Sequence, residues 1–155
     1  MGDELNRTDT AETTYARVLT LVKAGGCRLL MVTGDVGFVR ATFVRSLLVE
    51  CFGSAVGLPG GLRGRDVQQR IARGLSERGY LWLDEVAEVG VEQGRWLKLY
   101  CDSKTWERRE LWAREAELMD ITKALVVLSG PLVKVPADVA ARAWIVDLAR
   151  AEAAR

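Results

Sequence analysis

The segment from Arg28 to Val44 constrains the fold of this 155-residue chain more than any other part. It opens with a short apolar run up to Thr33, which is too brief for a typical helix and therefore predicts a central strand. Gly34 and Gly37 follow and indicate a turn, and beyond them the apolar residues recur at helical spacing. A strand, a glycine turn and a helix in succession predict the first unit of a layered α/β fold.

Strand-like segments recur along the rest of the chain. Short apolar runs at 80–85, 124–128 and 144–148 predict three more buried strands, and residues 55–58 suggest a short edge strand within a glycine-rich loop. Segments with helical periodicity separate these runs. We therefore expect a three-layer α/β fold in which a mostly parallel sheet of about four to five strands is flanked by helices.

The same patterns predict one domain with short ends. Residues 1–12 lack apolar periodicity and are expected to form a flexible arm, and residues 149–155 are expected to form a tail. The predicted domain spans residues 13–148. Within it, the apolar residues of 86–120 predict a mainly helical insertion between two of the strands.

Composition excludes several classes of site. The chain has no histidine, which removes Ser-His-Asp and Cys-His catalytic arrangements and the common zinc sites. Its 22 Lys and Arg against 21 Asp and Glu give a net charge of +1, which neither supports nor excludes nucleic acid. Three widely spaced cysteines predict reduced, packed thiols. With no apolar run of about 20 residues and a polar amino terminus, we expect a cytoplasmic protein with no membrane partner.

Polar residues follow three of the predicted strands. Right-handed crossovers between parallel strands place the carboxyl ends of the strands along one rim of the sheet. The turn at 34–41, the pair Asp84 and Glu85, and Ser129 would therefore lie on that rim. Ligands of open α/β sheets bind at this rim, so these residues are the candidate site.

In this order, the motifs resemble the ATPase core of the P-loop NTPases, in particular a small AAA+-like or phage primase–helicase-like module. The segment GDVGFVRA from Gly34 resembles Walker A, and LWLDE, which ends at Glu85, resembles Walker B. The run VVLS resembles a strand with a polar sensor residue, Ser129, at its end. Arg142 stands where members of this family often have an arginine. The resemblance covers about residues 28–148.

The resemblance implies ATP and Mg²⁺ as ligands and a role for each motif. Asp84 would hold the metal ion, Glu85 would polarise the attacking water, and Arg142 would act on a neighbouring subunit as an arginine finger. The nucleotide would contact the Walker A-like segment and the sensor-like serine, that is Gly34, Asp35, Val36, Gly37, Phe38, Val39, Arg40, Ala41, Thr42 and Ser129.

The Walker A-like segment departs from the working pattern G-x-x-x-x-G-K-[ST] at three adjacent positions. Val39 replaces the second glycine, and its β-branched side chain obstructs the approach of backbone N–H groups to phosphate. Arg40 replaces the lysine with a wide planar fork, and Ala41 lacks the hydroxyl that binds Mg²⁺. Thr42 is one residue late and points about 100° away on a helix. These losses argue against efficient hydrolysis, although Arg40 at a helix amino terminus still attracts anions.

Three interpretations of the site stay open. The favoured one is a degenerate AAA+-like protein with little or no hydrolysis, which serves as a nucleotide-binding or interaction module. The resemblance links such a protein to the DNA replication, recombination or packaging machinery of a phage or mobile element. The second is an active Mg-ATPase with an altered loop. The third is a purely structural or partner-binding protein whose loop is filled by Phe38 and Val39.

Some candidates also have ordinary explanations. Ser129 begins a Ser-Gly-Pro sequence that is typical of a turn, and the pattern at Arg142 favours a surface or ion-paired arginine over an arginine finger. A protein partner or self-association is expected. Nucleic acid is a further possible partner through four arginines that would otherwise form a solvated helix face: Arg63, Arg65, Arg70 and Arg73.

Overall fold

The computed structural model of the chain describes residues 11–59, 67–108, 115 and 117–148. Helices and strands alternate through this part of the chain. In order they are α1 (Ala11–Lys23), β1 (Leu29–Thr33), α2 (Gly37–Phe52), β2 (Gly57–Pro59), α3 (Val67–Arg78), β3 (Tyr80–Asp84), α4 (Val91–Asp102), β4 (Thr105–Arg108), β5 (Glu117–Asp120), β6 (Leu125–Gly130), α5 (Ala137–Ala140) and β7 (Trp144–Asp147).

Five of the strands form a parallel sheet in the order β2-β3-β6-β1-β7. The register pairs Thr33 with Gly130 at the carboxyl ends of β1 and β6, and Leu83 with Leu128 between β3 and β6. A late strand, β6, therefore lies between the two strands that carry the Walker-like motifs. The predicted α/β fold, with a parallel sheet flanked by helices, is confirmed.

Each face of the sheet is covered by helices. On one face, alternate residues of β1 such as Leu30 and Val32 pack with buried side chains of α1 and α2. On the other, Leu29 and Met31 pack with buried side chains of α3, α4 and α5. Every residue of Leu29–Val32 is buried, which explains why this strand is continuously apolar rather than alternating.

The predicted helical insertion is wrong for two of its segments. Among the described residues of 86–120, the helical stretch is Val91–Asp102, and β4 and β5 then pair as an antiparallel ladder. In β4 the exposure alternates, because Trp106 is buried between the exposed Thr105 and Glu107. Trp106 packs edge-on against Trp96 and Tyr100, with ring centroids 6.1 Å apart in each pair. Trp106, one of the apolar residues that suggested a helix, thus follows the period of two that is typical of a strand.

The ends of the predicted domain lie partly within the described residues. The predicted arm reaches residue 12, but α1 already includes Ala11, and residues 1–10 lie outside the described part, as does the predicted tail at 149–155. The predicted edge strand is present as β2 beside β3, shifted by a residue or two. None of the helices in the described ranges is both long and apolar enough to cross a membrane.

Candidate functional site

The candidate residues that follow β1, β3 and β6 lie at one rim of the sheet, as the sequence predicts. Because β6 separates β1 from β3, the two Walker-like segments are two strand spacings apart, which is about 10 Å. Side chains of ordinary length can span that distance from both sides. The geometry of the site therefore depends on what the side chains of the two segments do between them.

The Walker A-like segment is mostly helix. Only Gly34, Asp35 and Val36 separate β1 from α2, which begins at Gly37. Val36 is the residue before the helix and has no side-chain capping bond, and its carbonyl accepts a hydrogen bond from the Arg40 backbone N–H at 3.2 Å. Residues that would wrap a phosphate in a working loop instead form the first turn of α2.

Arg40 folds back over the three-residue connection. Its side chain is only 3% exposed, although it stands at the rim of the sheet. One terminal nitrogen donates to the Gly34 carbonyl oxygen, and the other donates to Oε1 of Glu85 at 2.9 Å. Its Nε is buried and has no hydrogen-bond partner in the described part of the chain. The guanidinium thus fills the space between the two Walker-like segments.

Glu85 is held in an unusual backbone conformation. Its φ of 57° makes it the sole non-glycine residue with a positive φ among those described, and such a conformation is rare for a long side chain. Its backbone N–H donates to Oδ1 of Asp84 at 2.9 Å, and its carboxylate, 61% exposed, pairs with Arg40. Strained backbone of this kind is typical of residues whose side chain must be held in one place.

Asp84 belongs to a partly buried chain of hydrogen bonds that the sequence did not predict. Trp82 donates its Nε1–H to Oγ of Ser129 at 2.9 Å, and Ser129 donates to Oδ1 of Asp84 at 2.8 Å. Ser129 is fully buried and lies within β6, so the interpretation of this residue as part of a turn is wrong. The proximity of the serine and the carboxylate follows from the pairing of β3 with β6.

Gly130 sets how closely the two strand ends approach. The backbone N–H of Val86 donates to the carbonyl of Ser129 at 2.9 Å, which joins the segment after β3 to the end of β6. A Cβ at Gly130 would overlap the carbonyl oxygen of Val86. Glycine is therefore required for the backbone approach that places Asp84 and Glu85 at this rim.

The other residues of the Walker A-like segment are at the surface or the edge of the core. Phe38 is 80% exposed and Val39 is half-buried, so the interpretation in which both fill the loop is wrong for Phe38. Asp35 and Thr42 are exposed, and Ala41 is half-buried. Arg40, rather than Phe38, occupies the interior of this segment.

A Mg²⁺-nucleotide fits these residues poorly. The guanidinium of Arg40 already donates a hydrogen bond to Glu85, and Ala41 offers no hydroxyl for a metal. One carboxylate oxygen of Asp84, Oδ1, already accepts hydrogen bonds from the Ser129 hydroxyl and the Glu85 backbone N–H. Within the described ranges, no group of three or more Cys, Asp or Glu side chains is arranged to hold a metal ion.

Arg142 lies away from the other candidates. It lies two residues before the start of β7, so it stands at the opposite rim of the parallel sheet from the Walker-like segments. Its Nε and Nη2 donate to both carboxylate oxygens of Asp102, at 2.8 and 3.1 Å, and its Nη1 donates to the Asp138 carbonyl. These hydrogen bonds hold the pKa of Asp102 below its usual range. In this structure the side chain of Arg142 therefore links α4 to α5.

The predicted basic surface is only partly within the described residues. Arg63 and Arg65 lie outside them, and Arg70 is half-buried on α3. Arg73 is exposed, but it pairs with Glu77 one helical turn away at 3.0 Å, which reduces its charge locally. The described part of this surface therefore adds little to the nucleic-acid hypothesis.

The cysteines are unpaired and shielded. Burial raises the pKa of the Cys27 thiol to about 12 and that of Cys101 to about 11. Because the thiolate is the reactive form, neither residue has the properties of a catalytic nucleophile.

Comparison with known proteins leaves the family open. The chain matches no protein-family model, no curated protein and no solved structure. The functional argument therefore depends on the geometry of the rim.

Proposed function

We propose that this protein is a degenerate, AAA+-like P-loop protein that does not hydrolyse ATP and acts as an interaction module. The observation that carries the proposal is the pair of Arg40 and Glu85, joined at 2.9 Å with the arginine buried. In the ATPases that the sequence resembles, the first position binds phosphate and the second activates water. Here the two positions bind each other.

The carboxylate of Glu85 supplies the negative charge that a phosphate would otherwise supply. A phosphate ligand would have to displace Glu85 from a buried guanidinium, and breaking a hydrogen bond to a buried charged group costs about 1–3 kcal/mol. It would also meet the carbonyl oxygen of Gly34, which already accepts from Arg40. The Arg40–Glu85 pair therefore opposes the binding of an anion at the position where P-loop NTPases bind phosphate.

The arrangement of strands supports the proposed ancestry. The sensor-like strand β6 lies between β1 and β3, and each of the three resembling motifs falls at the carboxyl end of its strand. A core of the kind that the sequence resembles is expected to have this arrangement, in which the sensor residue reaches the Walker B-like carboxylate. The contact between Ser129 and Asp84 at 2.8 Å is in keeping with it.

The cytoplasmic location and the link to DNA machinery are part of the same proposal. Three unpaired cysteines favour a reducing compartment. The link to replication, recombination or packaging depends on the resemblance of the motifs, since fold alone does not specify function.

A hydrolysis assay tests the proposal against an active ATPase. We expect no release of phosphate from Mg-ATP by the wild-type chain above the level of Glu85→Gln. The matched triple variant carries Val39→Gly, Arg40→Lys and Ala41→Ser together, which restores the three working residue types, and we expect it to bind nucleotide more tightly than the wild type. Phosphate release by the wild type that disappears in Glu85→Gln would establish an active enzyme and overturn the proposal.

A further inference from the structure

We infer that the rim beside the Arg40–Glu85 pair is a docking surface for a cationic protein segment that carries an apolar anchor. The inference rests on the proposed function, because a bound nucleotide would occupy the same rim. The apolar part of the surface consists of Val36, Phe38 and Leu132, hereafter the rim patch.

The rim patch is exposed to an extent that is unusual for its residue types. Phe38 is 80% exposed, Leu132 is 66% exposed and Val36 is 54% exposed. Val36 and Phe38 follow β1, and Leu132 follows β6, and these strands are paired up to Thr33 and Gly130. The two segments therefore leave the sheet from adjacent strands, about 5 Å apart. Exposed apolar side chains that lie close together mark interaction surfaces in soluble proteins.

Packing within the domain does not explain Phe38. The helix α2 is anchored by a separate set of side chains that face the sheet, among them Phe43, Val44 and Leu47, all buried. Phe38 lies in the first turn and is directed away from that core. Its apolar area is therefore available to a partner without any change of the fold.

The charges around the rim patch select the partner. The segments at the carboxyl ends of β1 and β3 carry the carboxylates of Asp35, Asp84 and Glu88 besides that of Glu85, whose charge is balanced by Arg40, and Asp35 and Glu88 are exposed. Among the described residues that connect β1, β3 and β6 to the helices that follow them, Lys134 is the exposed cation, and Arg40 in the first turn of α2 is buried and paired with Glu85. This excess of negative charge disfavours nucleic acid, free phosphate and anionic lipid, and it favours lysine and arginine side chains.

The two properties together define the occupant. A segment that places an aliphatic or aromatic side chain on Phe38 and lysine or arginine side chains near the exposed carboxylates of Asp35 and Glu88 would satisfy both. This is the pattern by which amphipathic segments bind exposed apolar surfaces in other proteins. A second copy of the chain or a nucleic acid would be a different occupant, and binding measurements separate them.

Fluorescence anisotropy with two labelled peptides tests the inference on the full chain. One peptide alternates leucine with lysine, and its twin has glutamate in place of every lysine. We expect the lysine peptide to bind at low salt, to weaken as salt is added, and to bind at least about tenfold more tightly than its twin. Phe38→Ala should weaken the lysine peptide about tenfold or more, which corresponds to the loss of a buried aromatic contact.

Leu118→Ala provides the matched control. Leu118 is 73% exposed, similar to Phe38, but it lies on β5, outside the parallel sheet. We expect this variant to bind the lysine peptide like the wild type, and both variants to retain the wild-type thermal unfolding curve. Equal binding of the two peptides, or binding that Phe38→Ala leaves unchanged, would overturn the inference.

Two further outcomes would assign the surface to another occupant. Sedimentation velocity that shows a dimer of the wild type, lost in Phe38→Ala, would overturn the inference in favour of a second copy of the chain. Binding of single-stranded DNA that is lost in Phe38→Ala would overturn it in favour of nucleic acid. Failure of the proposed function appears separately, as Mg-ATP hydrolysis that depends on Glu85 and not on Phe38.

Discussion

Arg40 shows why arginine and lysine are not interchangeable at a phosphate loop. A lysine offers a compact ammonium that turns freely toward a ligand, whereas the planar fork of arginine bonds two acceptors fixed in space. Here those acceptors are the Gly34 carbonyl oxygen and the Glu85 carboxylate. The replacement therefore converts a ligand-binding cation into a bond between two segments of the protein.

The energetic coupling of this pair can be measured with a double-mutant cycle. We expect Glu85→Gln to lower the free energy of unfolding by about 1 kcal/mol or more, because it leaves the buried Arg40 charge without its counter-charge. In an Arg40→Met background the same substitution should cost almost nothing, since Glu85 is then a solvated carboxylate. Urea denaturation of the four proteins gives the coupling energy. An equal cost in both backgrounds would contradict a direct interaction.

Arg142 predicts a pH dependence of stability with a defined sign. Its hydrogen bonds lower the pKa of Asp102 in the folded state, so the pair stabilises the protein above the unfolded pKa of about 3.9 and ceases to do so as the pH falls through the folded pKa. We therefore expect Arg142→Gln to destabilise the protein near neutral pH, and the difference from wild type to shrink below about pH 4. Urea unfolding across this pH range is the measurement. A difference that grows in acid would contradict the assignment.

At the scale of elements, two glycines near the rim have different roles. Gly130→Ala should destabilise the protein by about 1–3 kcal/mol, because the added Cβ would overlap the backbone of Val86. Gly37→Ala is the matched control, since a Cβ there makes only an ordinary contact with Arg40, at 3.6 Å, in the first turn of a helix. It should be neutral or stabilising by up to about 1 kcal/mol. Thermal unfolding of both variants tests the contrast, and equal losses would contradict it.

The elements that could be predicted are those whose burial is uniform. The strands β1, β3 and β6 are buried on both faces, so each appears in the sequence as a short apolar run with no period to misinterpret. The β4–β5 pair is different, because its one buried aromatic, Trp106, lies among exposed polar residues. Its apolar positions were compatible with either period, and the antiparallel pairing that decides between them is not a local property.

At the scale of the whole molecule, the rim could be predicted but the contact across it could not. Alternating strands and helices place the residues after β1, β3 and β6 along one edge of the sheet. That Arg40 reaches Glu85 depends on two further facts, the three-residue connection to α2 and the insertion of β6 between β1 and β3. Both are set by tertiary packing. The sequence did show opposite charges at Arg40 and Glu85. Only the strand order, however, shows that these two side chains lie close enough to pair.

The two-sided core also predicts how the thiols react. Cys27 is buried, and its pKa of about 12 leaves little thiolate at pH 8, so we expect it to be alkylated much more slowly than the half-buried Cys51. Its labelling should accelerate in denaturant in step with unfolding of the domain. Peptide-resolved mass spectrometry after timed alkylation measures both rates. Labelling of Cys27 as fast as that of Cys51 in the native protein would contradict a packed core at this position.

Calorimetric titration of Mg-ATP into the wild-type chain tests the central claim most directly. Glu85 is already paired with Arg40, the cation that would otherwise bind phosphate. We therefore predict no saturable heat of binding at nucleotide concentrations up to about 1 mM. The variant with Val39→Gly, Arg40→Lys and Ala41→Ser, titrated under the same conditions, shows whether the scaffold retains a site once the pair is removed. Saturable one-to-one binding of Mg-ATP to the wild type with micromolar affinity would contradict the claim that the Arg40–Glu85 pair has replaced the ligand.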